Sequence, residues 1–218
     1  MAKALYAVGA VPTDKFTAIS ASDLIAGFVG QTGPHTRETL EKGRFGVIFI
    51  DEAYLLKAED SDAGAFKRDC MNEILLFLER EALTGDTVVI MGGYTDEMEE
   101  LLRVSTGLAS RIDHKIIFPM FTPDECLEIV RRQLLGRSVP LTLSEDAASV
   151  LLDYIGHLSE YSADFAGARD MRRLSDALAA AVTNRIAETI GSSNDSLEGL
   201  SREELTTITP EDIGKALV

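Results

Sequence analysis

The apolar positions fall into short unbroken runs in the first half of the chain and into helical stripes in the second. Val47, Ile48, Phe49 and Ile50 follow one another without a polar residue. Such a run, rich in β-branched and aromatic residues, predicts a strand buried on both faces, as in a parallel sheet. Residues 87–91 and 114–118 read the same way, and residues 15–19 alternate well enough for a shorter strand. Between these runs the spacing turns helical. Residues 35–42 are polar and helix-compatible, Met71, Ile74, Leu75, Leu78 and Ala82 share one stripe, and residues 97–103 make an acidic helix. Residues 57–67 are charged and carry no periodicity, which predicts a loop. Strands alternating with helices give a parallel α/β layer.

Pro119 ends that layer. Thr122-Pro123-Asp124-Glu125 is a helix start, with Thr as N-cap, Pro at the first helical position and Glu at the third. Helices are predicted over residues 123–135, 144–155, 168–190 and 210–217, with no further strands. Residues 191–198 read as a surface loop. The expected domains are an α/β core of residues 1–119 and a helical part of residues 120–218. Met1-Ala2-Lys3 and the apolar stretch to Val11 read as the last turns of a helix rather than a signal sequence, since they carry one positive charge and break at Gly9 and Pro12.

Composition adds limits. The chain has 218 residues, 45% of them hydrophobic, and a mean hydropathy of +0.06, as expected of a globular protein. A formal net charge of −15 argues against a nucleic-acid partner, because such binding rests on Lys and Arg neutralising phosphates. No apolar run approaches the length of a membrane span. Cys70 and Cys126 lie far apart without CxxC spacing, so neither a disulfide framework nor a metal site is indicated, and a reducing compartment such as the cytoplasm is expected. His35, His114 and His157 are scattered, so no metal held by protein ligands alone is expected.

Two carboxylates, Asp51 and Glu52, follow the first apolar run directly. Open α/β sheets bind ligands beyond the carboxyl ends of their strands. The pair therefore stands where a Mg2+–phosphate and an attacking water are handled, one carboxylate near the metal and the next as a water-orienting base. The dipeptide alone also allows a plainer reading, an acidic pair that ends a strand and caps a helix. Phe28 and Val29 sit between Gly27 and Gly30, which suits a loop that exposes them, although Phe28 tucked into the core is an equal alternative.

Five segments together resemble an AAA+ ATPase of the group containing red-type Rubisco activase, stage V sporulation protein K and the ATPases of type VII secretion. They are Asp23-Leu24-Ile25 with Phe28-Val29-Gly30 and Thr32; residues 47–54; Val88 with Gly93-Tyr94; Gly107-Leu108 with Ser110-Arg111-Ile112; and Gly167-Ala168-Arg169 with Arg172. Each is weak alone, and their order and spacing together are specific. The resemblance implies that Asp51 holds Mg2+ beside ATP and that Glu52 activates water. It makes Arg111 the arginine finger that reaches a neighbouring subunit's nucleotide, and Arg169 the lid arginine that follows the γ-phosphate. Tyr94 or Thr95 would take the polar sensor position, and Phe28 with Val29 the pore loop that grips a polypeptide. ATP and Mg2+ as cofactors, a homo-oligomeric ring (a hexamer) and a remodelled protein substrate follow from the same resemblance, with no nucleic acid and no membrane. The plainer alternatives are an Arg111–Asp113 surface pair and a solvated stripe for Arg169 and Arg172.

One part of that pattern is missing. No GxxxxGKS or GxxxxGKT occurs in the 218 residues, and Val8-Gly9-Ala10-Val11-Pro12 lacks the lysine and the glycine spacing of a phosphate cradle. The resemblance thus implies an AAA+ P-loop NTPase-like parallel sheet without its P-loop strand, cut just after the P-loop and followed by an all-helical lid. As a full module it would be an ATP hydrolase. The alternative is a non-catalytic AAA+-like assembly subunit that cannot bind ATP. In such modules the strand before the P-loop lies between those expected here at residues 87–91 and 114–118. These two are therefore expected either to be unpaired on their facing edges or to pair directly.

Overall fold

After a short helix, α1 (Ala2–Ala7), three parallel strands organise the first part of the chain: β1 (Phe16–Ser20), β2 (Val47–Asp51) and β3 (Val88–Met91), in the order β1-β2-β3. The computed structural model describes residues 1–25, 31–58, 62–162, 165–192 and 201–217. It divides into two units, Met1–Ile117 and Phe118–Val218. In the first unit Ile50 pairs in register with Ile19 on one side and Met91 on the other. Parallel neighbours need a crossover. Helix α2 (Thr32–Lys42) provides the one from β1 to β2, and α3 (Asp62–Thr84) the one from β2 to β3.

β2 is buried on both faces, as its unbroken apolar run predicts. Ile48 and Ile50 share a core with Leu40 of α2, Ile74 and Phe77 of α3, Leu101 of α4 (Thr95–Val104) and Leu108 of α5 (Thr106–Ala109). Val47 joins a separate cluster with Ala2 and Val11. Each fully buried aliphatic side chain stabilises the fold by about 1.5–3 kcal/mol. Helix α3 starts earlier than its apolar stripe, within the stretch expected to be a loop. Ala65, Lys67 and Arg68 are strong helix formers there, so propensity extends the helix where periodicity gives no signal.

The third apolar run departs from expectation. Residues 114–118 belong to no strand, and Ile116, Ile117 and Phe118 are 70%, 58% and 83% exposed. Among the described residues β3 ladders with β2 and with no other strand. Among the described residues the run does not ladder with β3, so it gains no ladder hydrogen bonds, and its apolar pattern alone does not make a strand.

The second unit contains α6 (Pro123–Leu135), α7 (Glu145–Tyr161), α8 (Ala168–Ser192), α9 (Arg202–Thr206) and α10 (Pro210–Ala216). Val130, Leu134, Leu151, Ile155, Leu178 and Ile213 meet in one core. The expected cap on α6 is present: Thr122 accepts from the Glu125 N–H, and the Glu125 carboxylate accepts from the Thr122 N–H at 2.8 Å. Ser144 caps α7 by accepting from the Ala147 N–H at 3.1 Å. The unit is not wholly helical. β4 (Thr142–Leu143) pairs in parallel with β5 (Thr207–Ile208), two strands too short for periodicity to announce. No helix among the described residues is long and apolar enough to cross a membrane.

Candidate functional site at the carboxyl end of β2

β2 ends at Asp51, and both Asp51 and Glu52 are exposed. At Glu52 the backbone turns left-handed, with φ 52° and ψ 39°. This conformation costs a non-glycine residue on the order of 1–2 kcal/mol. Two hydrogen bonds flank the turn. The Glu52 N–H donates to Asp51 Oδ1 at 3.0 Å, and the Ala53 N–H donates to the Gly92 carbonyl at 2.9 Å. The strand's alternation is broken there, and the acidic pair stands at a fixed corner rather than on a continuing strand.

The segment after β3 is held close to that corner. The Gly92 N–H donates to the Ile50 carbonyl at 2.8 Å. A Cβ at Gly92 would lie 2.7 Å from Phe49 Cζ, and one at Gly93 would lie 2.7 Å from Tyr54 Cδ1, so glycine allows the approach. Tyr94 directly precedes α4, and its ring centroid is 6.0 Å from that of Tyr54. The Tyr54 hydroxyl donates to Glu52 Oε1 at 3.2 Å. Desolvation first, then that hydrogen bond and the charge of Glu52, hold the Tyr54 phenol above the usual tyrosine range. Asp51, Glu52 and Tyr94 are thus brought together, with Tyr54 between the last two. Thr95 follows as the first residue of α4 and is exposed. Sequence reasoning gave Tyr54 no role, and its one signal is its place two residues after Glu52.

Arg111 follows α5 and is half-buried. Its Nη1 donates to the Gly107 carbonyl at 2.8 Å, and its Nη2 to Glu79 Oε2 of α3 at 3.3 Å, so its carboxylate partner is Glu79 and not Asp113. Arg169 lies in the first turn of α8, exposed, behind a left-handed Gly167 at φ 56°. Asp170 secures that helix start by accepting from the Ala166 N–H at 2.7 Å. The Arg169 guanidinium has no hydrogen bond or ion pair among the described residues, and Asp170 pairs with Arg173 rather than Arg172. Phe28 and Val29 lie outside the described residues.

The donor set at this corner suits Mg2+. Asp51 Oδ1 carries one hydrogen bond, and Oδ2 carries none among the described residues. Mg2+ takes hard oxygens, keeps several waters, and uses one or two carboxylates together with phosphate oxygens. No group of three or more His, Cys, Asp or Glu among the described residues could hold a metal unaided.

Comparison with known proteins places the chain in a family. The model of the "ATPase family associated with various cellular activities (AAA)" matches residues 1–120, and that of the AAA lid domain matches residues 122–217. The chain is 34% identical to a Protein CfxQ homolog of Galdieria sulphuraria, across 99% of this chain and 67% of that protein. It is 32% identical to the chloroplastic ribulose bisphosphate carboxylase/oxygenase activase of Cyanidioschyzon merolae, across 99% of this chain and 70% of that protein. To Protein CbbX of Cereibacter sphaeroides it is 32% identical, across 98% and 65%. A crystal structure of the FIGL-1 AAA domain superposes with a TM-score of 0.58 at 21% identity, over 91% of this chain and 60% of that one, a likeness of fold. The chain belongs to the AAA family of ATPases, in the group of the CfxQ and CbbX proteins and the red-type Rubisco activases.

Proposed function

We propose that this chain works as an ATP-hydrolysing AAA+ module in a homo-oligomeric ring of six, remodelling a protein partner. The observation that carries the reading is the corner at the end of β2, where Asp51 and the left-handed Glu52 stand exposed and Glu52 is held by Tyr54. Asp51 is the ligand for Mg2+, which when bound neutralises charge on the phosphate oxygens. Glu52 orients the attacking water and accepts its proton. Tyr94 or Thr95 takes the polar sensor position beside that corner. Arg111 serves the neighbouring subunit's site, and its pairing with exposed Glu79 is weak enough to exchange for a phosphate. Arg169 contributes a guanidinium to the phosphates from the lid. Phe28 and Val29 grip the polypeptide. The printed name of one relative, an activase of ribulose bisphosphate carboxylase/oxygenase, makes an enzyme of that kind the candidate partner.

A second reading, a non-catalytic assembly subunit, rests on one observation: the 218 residues contain no GxxxxGKS or GxxxxGKT. Subunit mixing separates the two readings. In a form extended to carry a phosphate-binding loop, Arg111→Ala and Asp51→Asn subunits are each inactive alone. Mixed, they recover ATP turnover, because an intact Arg111 then faces an intact Asp51. Rings that form in every mixing ratio without activity would remove the trans role of Arg111, and rings of the extended form with no turnover at all would favour the assembly subunit.

A further inference from the structure

We infer that Tyr54 is a positioning residue for the Glu52 carboxylate, which rests on the reading of Glu52 as the water-activating base. A carboxylate on a flexible, exposed side chain samples many rotamers, and a base is efficient only when held in reach of the proton it takes. Among the described residues, the carboxylate of Glu52 has one hydrogen-bond partner, the Tyr54 hydroxyl at 3.2 Å. Glu52 Oε1 is occupied by that bond, and Oε2 is left to accept from a water.

Tyr54 can act as an anchor because it is itself held. Its backbone lies in the short 3-10 turn Ala53–Leu56, its side chain is half-buried, and its carbonyl accepts from the Lys57 N–H at 3.0 Å. Its ring packs beside that of Tyr94 and against Gly93, where a Cβ would come within 2.7 Å of Tyr54 Cδ1. The hydroxyl therefore donates from a place set by β2 and by the segment after β3.

Two measurements test this. In the 218-residue chain carrying tyrosine labelled at Cζ, NMR titration places the Tyr54 phenol above the ordinary tyrosine range, and Glu52→Ala, which removes both the acceptor and the charge, lowers its midpoint; an unchanged midpoint overturns the hydrogen bond. In a form extended to carry a phosphate-binding loop, Tyr54→Phe keeps the ring and removes only the donor. We expect kcat to fall about tenfold with KM for ATP unchanged within about twofold and with an unchanged thermal unfolding midpoint, which separates the loss from a folding defect. A native kcat in Tyr54→Phe, beside an inactive Glu52→Gln, overturns the role of Tyr54 and leaves Glu52 as the base. Native turnover in Glu52→Gln overturns the base assignment, and the role of Tyr54 with it.

Discussion

Arg111 Nη2 lies 3.3 Å from Glu79 Oε2, while its Nη1 donates to the Gly107 carbonyl at 2.8 Å. The side chains are 32% and 65% exposed, so the ion pair contributes less than about 1 kcal/mol. The backbone bond keeps the guanidinium at the end of α5 whether or not Glu79 is charged. Glu79→Gln is therefore expected to change the urea unfolding free energy by less than about 1 kcal/mol. A loss above about 2 kcal/mol would make the pair a structural strut rather than a displaceable contact.

Within the second unit the opposite holds for Arg185 and Asp212. Their Nε–Oδ1 distance is 2.8 Å with Asp212 wholly buried, and Arg185 also donates to the Glu204 and Thr207 carbonyls at 3.1 and 3.0 Å. Asp212 further accepts from the Thr209 N–H at 2.9 Å. Asp212→Ala removes a helix cap and leaves a largely buried cation without its counter-charge. The expected destabilisation is about 3–5 kcal/mol in urea unfolding, and one below about 1 kcal/mol would contradict it.

Two glycines should respond to alanine with opposite signs. A Cβ at Gly46 would lie 2.4 Å from the Lys15 carbonyl oxygen, a backbone atom fixed by the β1–β2 pairing. At Gly156, inside α7, nothing lies within 4 Å. Gly46→Ala is expected to destabilise by about 1–3 kcal/mol through overpacking, and Gly156→Ala to stabilise by up to about 1 kcal/mol through helix propensity. Thermal unfolding of the two variants decides both signs, and a shared sign refutes one of the local environments.

The strand that carries the acidic pair is legible in the sequence because a buried parallel strand needs an unbroken apolar run, and residues 47–50 supply one. The cap on α6 is legible for a similar reason: Thr122 and Glu125 have side chains of the right reach at the right spacing. Ile116, Ile117 and Phe118 are apolar like residues 47–50 and form no strand, because a run states only what a segment could bury and not whether it pairs. The left-handed Glu52 has no local signal, since the residue is neither Gly nor Asn. The bonds from Tyr54 to Glu52 and from Arg111 to Glu79 are set by the turn after β2 and by the packing of α5 on α3. Neither is visible in residue spacing.

Cys70 gives the fold a pH dependence at the alkaline end. Burial pushes its thiol up from 9.0 to about 11, with a hydrogen bond to Thr36 opposing part of that rise. The thiol of the unfolded chain ionises first, so the stabilising contribution is fully present below about pH 9 and is lost between about pH 9 and pH 11. Over that window the unfolding free energy falls by about 1.4 kcal/mol per pH unit more in the native chain than in Cys70→Ala. Parallel pH profiles for the two proteins would show that the thiol does not titrate differently on folding.

Phosphate release from ATP by a form extended to carry a phosphate-binding loop, compared between the native residue and Glu52→Gln, decides whether Glu52 is the base. The variant keeps the size and shape of the side chain and the acceptor for the Tyr54 hydroxyl, and loses only the basic carboxylate. ATP is expected still to bind, and turnover to fall at least about a hundredfold. Turnover at the native rate in Glu52→Gln would contradict that role.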